Sequence, residues 1–142
     1  MDEKSLETIE LELAILIRRT TSVTTNKNLW KLDRAAYLLL RRIASKGAVG
    51  VKVLAGEFQL DISTVSRQAA ALEQKGYLYK IPDPLDGRAY SFEITELGKK
   101  ELHEHKQARL EKIGEVIKEW PEEDRHLFGQ YLRKFNNALI RE

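Results

Sequence analysis

The 142-residue chain contains no cysteine. That excludes disulfides, thiolate zinc sites, nucleophilic cysteine catalysis and cysteine-based peroxide sensing. Histidine is scarce as well: His103, His105 and His126 are the whole supply. His103 and His105 lie two apart on a predicted helix and diverge by roughly 200°, so they do not face one ion. Neither Glu101 nor Glu104 completes a ligand pair with both. A phosphate loop, a nucleophile elbow and a zinc motif are all missing. No enzyme activity, cofactor or metal is therefore expected. No apolar run approaches a membrane span, and the charged opening Met1-Asp2-Glu3-Lys4 does not form a signal peptide, so a soluble cytoplasmic protein without a membrane partner is expected. Charge of one sign is not in excess either. Lys and Arg number 24 against 22 Asp and Glu, net +2, too balanced for a polybasic binder.

With 42% hydrophobic and 32% charged residues, the chain has the material for a core and a solvated surface. Its length predicts one structural unit, a domain with appended helices. Charge is unevenly spread. Residues 1–30 carry 4 basic and 5 acidic groups, residues 31–100 carry 12 and 8, and residues 101–142 carry 8 and 9. A basic middle between weakly acidic ends suits a central segment that meets a polyanion. Glycine and proline cluster between Gly47 and Gly98, and only Gly114, Pro121 and Gly129 interrupt the tail.

Leu6, Ile9, Leu13, Leu16 and Thr20, spaced three and four apart, mark a first amphipathic helix with Glu7, Glu10 and Glu12 outward. A second is predicted from about Leu32 to Ser45, with Gly47 as its stop. Helix is expected again after Thr95 to about Trp120, with Leu110, Ile113, Ile117 and Trp120 as its stripe. Pro121 followed by Glu122, Glu123 and Asp124 predicts the start of a last helix, with Phe128, Tyr131, Phe135 and Ala138 along one face. Neither end carries enough material for a separate core. The economical solution is that these terminal helices pack on each other and on a symmetry mate, making a homodimer.

The middle is the most informative stretch. A short helix carrying Val53, Leu54 and Phe58 leads into Gln59-Leu60, and Asp61 has the chemistry of a helix N-cap. In the next helix Val65, Ala69 and Leu72 share one side, with Ile62 close to it. Ser63, Arg67, Ala70 and Gln74 point the opposite way, with Ser66 at the edge. That outward face is small, and small residues let a helix lie deep in the major groove of DNA. Arg67 suits the O6 and N7 acceptors of guanine, and Ser63 and Ser66 suit base edges or phosphates. Thr64 and Gln68, on the flanks, suit the sugar-phosphate backbone. Tyr77–Pro82 and Ala89–Thr95 read as two strands around the turn-rich Asp83-Pro-Leu-Asp-Gly-Arg88, with a third short strand at Val49–Val51. Helix, turn, helix and hairpin form a winged helix-turn-helix. Arg88 at the tip suits the narrow minor groove, with Asp86 orienting it or capping the loop amides.

These pieces, in this order, resemble the multiple-antibiotic-resistance regulator (MarR) family. The resemblance rests on Leu54-Ala55, Asp61-Ile-Ser-Thr-Val-Ser-Arg67, Leu72-Glu-Gln-Lys-Gly76, Asp83-Pro-Leu-Asp-Gly-Arg88 and Ile94-Thr-Glu-Leu-Gly98, and extends over nearly the whole chain. It implies a homodimeric transcription regulator, often a repressor released by a small aromatic or phenolic ligand, with two winged domains on a pseudo-palindromic operator. Position by position, Ser63, Thr64, Ser66, Arg67 and Gln68 match the family's recognition-helix contacts, and Asp86 and Arg88 match its wing motif. Two departures stand out. Lys80 occupies a place where the family often has Arg, and Gly56-Glu57-Phe58 is an atypical end for the first helix of the motif. The thiol-based sensors of the family are excluded by the missing cysteine.

A second stripe on the second helix joins Trp30, Arg34, Tyr37 and Arg41, spaced four, three and four apart, provided the helix starts by Trp30. Two cations interleaved with two aromatics suit an aromatic carboxylate. In the family, ligands of that description lodge near the junction of dimerisation and DNA-binding parts.

The expected fold is mainly α with a small antiparallel β-wing: a winged helix-turn-helix flanked by N- and C-terminal dimerisation helices. The expected division is residues 1–30 for the N-terminal dimerisation helix, 31–98 for the DNA-binding region with recognition helix 62–75 and wing 77–94, and 99–142 for the C-terminal dimerisation helices. The expected partners are double-stranded DNA, a second copy of the chain and a small-molecule effector. The alternative is a winged-helix protein-interaction module that uses Tyr77, Tyr79 and Tyr90 and does not read DNA sequence.

Overall fold

The computed structural model describes residues 2–23, 33–85 and 89–140. The chain divides into two compact units, Met1–His105 and Lys106–Glu142. In chain order the elements are α1 (Glu3–Val23), α2 (Arg34–Lys46), β1 (Val49–Gly50), α3 (Val51–Phe58), α4 (Ile62–Gln74), β2 (Leu78–Pro82), β3 (Tyr90–Ile94), α5 (Glu96–Val116) and α6 (Glu122–Ile140). The fold is mostly helical with one three-stranded antiparallel sheet.

Helix ends follow from side-chain and backbone capping. Asp33 caps α2 by accepting the Ala36 amide at 2.8 Å, and Gly47, at φ 83°, closes it by donating to the Ile43 carbonyl. The turn after α3 is built on Gln59 in the left-handed region (φ 55°, ψ 42°). Its amide donates to the Gly56 carbonyl while the Leu60 amide donates to that of Ala55, the paired pattern that ties off a helix C-terminus. The same pattern ends α4 at Gly76 (φ 83°), with Gly76 bonded to Glu73 and Tyr77 to Leu72.

α5 opens on a fastening of several residues. Thr95 Oγ1 accepts the Gly98 amide at 2.9 Å and donates to the Gly76 carbonyl at 2.6 Å, and the Thr95 amide donates to the Tyr77 carbonyl at 3.0 Å. Gly98 is buried, and a Cβ on it would overlap the Tyr77 carbonyl oxygen.

β3 is the central strand, with β1 and β2 on either side. Val49 pairs with Phe92, and the β2–β3 register runs from Leu78 opposite Ile94 to Pro82 opposite Tyr90. The core of the first unit gathers Leu39, Leu40 and Ile43 from α2, Leu54 and Ala55 from α3, and Val65, Ala69 and Leu72 from α4. They close on Val49, Leu78, Phe92 and Ile94 of the sheet. At roughly 1.5–3 kcal/mol per fully buried large apolar side chain, this cluster is what fixes α4 relative to the wing. In the same unit α1 leaves Leu6, Ile9 and Leu16 about half exposed. In the second unit Trp120 packs on Phe128 with ring centroids 5.3 Å apart, and α6 leaves Tyr131, Leu132, Phe135 and Leu139 substantially exposed. Among the described residues no helix is long and apolar enough to cross a membrane.

Four expectations need correction. α5 ends at Val116 rather than near Trp120, and residues 117–120 form a turn closed by the Trp120 amide on the Ile117 carbonyl. Pro121 explains this, because proline disfavours helical geometry in the residue before it. Pro121 itself precedes α6 by one residue, its carbonyl accepting the Arg125 amide. α2 opens at Arg34, not at Leu32 or Trp30, because Asp33 takes the capping role. Ile62 is 49% exposed rather than close to the core side, since it opens α4 and the buried positions of that helix begin at Val65.

Candidate nucleic-acid interface

The period of α4 sorts its side chains by solvent. Val65, Ala69 and Leu72 are buried, while Ser63, Arg67, Ala70 and Gln74 are exposed. Thr64, Ser66 and Gln68 are half-buried along the flanks. The outward strip is thus free of bulky or acidic side chains over two turns. Arg67 is its only cation, with Nη2 3.5 Å from the Thr64 hydroxyl.

Asp61 stands at the N-cap position of α4 in extended backbone (φ −75°, ψ 155°), yet its side chain makes no bond to the helix amides. This corrects the expectation of a capping carboxylate. Asp61 Oδ2 instead accepts the Ser63 hydroxyl at 2.7 Å. Hydrogen bonds from Thr64 and Ser63, aided by the charge of Arg67, hold its carboxyl below the usual range.

Lys80 on β2 lies 4.6 Å from the centroid of the Tyr90 ring and 3.8 Å from Glu73 on α4. The ammonium therefore links the base of the wing to the recognition helix. Toward the tip, Asp83 Oδ1 accepts the Leu85 amide at 2.9 Å, and the Asp83 amide donates to the Ala89 carbonyl at 3.0 Å. Asp86 and Arg88 lie outside the described residues. Of the three tyrosines considered for a protein-docking surface, Tyr79 is exposed, whereas Tyr77 is half-buried and Tyr90 is covered by Lys80 and packs edge-on against Phe92.

The second-helix stripe is divided. Tyr37 is buried, and Arg41 reaches back over it, 5.8 Å from the ring centroid and 3.4 Å from Nη1 to the phenol oxygen. Arg34 lines a separate apolar groove of about 360 Å³ with Ala35, Leu38, Leu39, Phe58, Leu60 and Gln68. Trp30 lies outside the described residues. Helical spacing does not reveal this groove, because Leu60 and Phe58 come from the turn and its preceding helix, which share no periodicity with α2. Nor does it reveal the pair Arg42–Glu57, whose two bonds of 2.5 and 2.9 Å tie α2 to the atypical end of α3. Among the described residues no group of three or more His, Cys, Asp or Glu is arranged to hold a metal ion.

A winged helix-turn-helix with an open recognition-helix face defines a DNA-binding transcription regulator, and comparison with known proteins gives the family. Residues 32–90 match the MarR family model. Across 140 residues the chain is 44% identical to the HTH-type transcriptional regulator YxaD of Bacillus subtilis (strain 168), covering 98% of each protein. The chain belongs to the MarR family of transcriptional regulators. Among solved structures, a MarR family protein from Bacillus stearothermophilus superposes with a TM-score of 0.80 at 17% identity, covering 98% of both chains. The PcaV transcriptional regulator of Streptomyces coelicolor, solved in complex with its natural ligand, gives a TM-score of 0.68 at 19% identity, with 87% of this chain and 91% of that one covered.

Proposed function

We propose that this regulator is a homodimer that reads a pseudo-palindromic operator and represses transcription until a small aromatic or anionic ligand releases it. The observation that carries the reading is the small outward strip of α4. Arg67 reads guanine from it, and Ser63 and Ser66 approach base edges in the major groove. Thr64 and Gln68 hold the sugar-phosphate backbone, and Asp86 and Arg88 serve the minor groove. Residues 31–98 form the DNA-binding region. The apolar rows on α1 and α6, with the rest of 1–30 and 99–142, supply the dimer contact, since half-exposed rows of this kind are stabilised by a second copy. Two-fold symmetry then sets half-sites about ten base pairs apart.

Selection of bound fragments from genomic DNA, followed by titration of the recovered site, tests this. Arg67→Ala should weaken the recovered site by about 1–3 kcal/mol and leave random DNA nearly unchanged. Equal losses on both, or binding that ignores salt, would remove the base-reading role. Sedimentation of the purified chain tests the dimer; a monomer at micromolar concentration refutes it.

For the ligand, the Arg41–Tyr37 pair and the Arg34-lined groove are the two places suited to an aromatic acid, and PcaV is a family-fold precedent with a bound ligand. Trp30 fluorescence in a Trp120→Phe background, titrated with salicylate-like acids, should change saturably. No saturable change while DNA binding persists removes the ligand reading.

A further inference from the structure

The head of α4 holds two side-chain hydrogen bonds, each with a direction. Arg67 Nη2 donates to Thr64 Oγ1, and Ser63 Oγ donates to Asp61 Oδ2 at 2.7 Å. An ionised carboxylate only accepts, and a hydroxyl carries a single hydrogen. The Ser63 proton is therefore committed to Asp61, and Ser63 faces outward with lone pairs alone. Asp61 is available for this because its side chain does not cap the helix amides, and Asp61 and Ser63 are both exposed at the N-terminal end of α4.

We propose that Asp61 sets the hydrogen-bond sense of the recognition helix: by taking the Ser63 hydroxyl proton it makes Ser63 select a base whose major-groove edge offers an amino group, adenine or cytosine. This rests on the reading of α4 as the base-reading helix. Adenine N6 and cytosine N4 are the donors of the major groove, whereas guanine N7 and O6 and thymine O4 are acceptors. A serine with its proton to spare bonds either kind, and phosphate oxygens as well. An acceptor-only serine sets lone pair against lone pair at guanine, thymine and phosphate. The Asp61 charge acts in the same direction, since it lowers the attraction of this helix end for phosphate wherever no amino group is presented. Asp61 thus subtracts from indiscriminate binding and leaves the matched site favoured.

The test is binding-site selection from a randomised duplex library with the full chain, using wild type, Ser63→Ala, Asp61→Ala, Asp61→Asn and Arg67→Ala, each checked by thermal melting. The position read by Ser63 is the one whose preference flattens in Ser63→Ala. In wild type that position should hold adenine or cytosine. In Asp61→Ala it should admit guanine and thymine, with the ratio of matched to random affinity falling about fivefold, the worth of one ordinary hydrogen bond. If Asp61→Ala melts early, Asp61→Asn, which keeps the shape and carries an NH2 that can donate to Ser63 and release its proton, should relax the same position. Adding Asp61→Ala to Ser63→Ala should change that position no further. A preference that survives both Asp61 variants, or a wild-type preference for guanine or thymine there, overturns the proposal while leaving the base-reading helix intact. A wild type that selects no motif, or one indifferent to Ser63→Ala and Arg67→Ala, overturns both.

Discussion

Arg42 grips Glu57 with two bonds, Nε to Oε2 and Nη2 to Oε1, so that the second helix and the end of the third are joined side by side. Arg42 Nη1 is buried and has no hydrogen-bond partner among the described residues, which makes the guanidinium dependent on this one carboxylate. The hydrogen bond and charge of Arg42 hold the Glu57 carboxyl below its ordinary 4.5. A carboxylate lowered in the folded state contributes stability that is present above its unfolded value and lost as pH falls through its folded value. Urea titrations should therefore show wild type more stable than Glu57→Gln at neutral pH, with the gap closing as pH falls below about 4.5. Parallel stability curves for the two proteins across that range would show the pair to be idle.

Gly98 admits no side chain. A methyl there meets a backbone oxygen, which cannot swing aside as a flexible side chain would. Gly98→Ala should lose about 1–3 kcal/mol, at the upper end of that range, with an unchanged denaturant slope. A loss below about 0.5 kcal/mol, the size of an ordinary surface substitution, contradicts the close approach.

Thr95 serves the same junction through its hydroxyl, so Thr95→Val removes both of its bonds while keeping its shape. The expected cost is about 1–2 kcal/mol, and Thr95→Ser should restore most of it. If Thr95→Ser is as unstable as Thr95→Val, the contribution lies in the methyl group instead.

Glu73 partly neutralises Lys80 at the base of the wing. Glu73→Gln leaves the ammonium free for phosphate, and the slope of log K against log salt for duplex DNA should steepen by up to about 0.9. Lys80→Ala in the same background should cancel the gain. An unaltered slope in Glu73→Gln would place Lys80 away from the duplex.

The recognition helix was legible because thirteen residues contain enough turns for the period to separate Val65, Ala69 and Leu72 from Ser63, Arg67, Ala70 and Gln74. Gly47 was equally readable as punctuation, having a backbone role that few residues fill. Periodicity is silent about partners on other elements. It put Arg34, Tyr37 and Arg41 within roughly 60° on one helix, yet Arg34 lines the groove against Phe58 and Leu60 while Arg41 folds onto Tyr37. Asp61 shows a further limit, for its residue type suits a cap and its carboxylate is occupied by neighbouring hydroxyls.

The fastening at Gly76, Tyr77, Thr95 and Gly98 has a mechanical consequence. The turn that closes α4, at Gly76 and Tyr77, and the first turn of α5 are secured to one another. A tilt imposed on that first turn is delivered to the recognition helix as a rigid displacement, without a bond having to break on the way. The joint behaves as a weld, and a small torque at one side of it reaches α4 on the other.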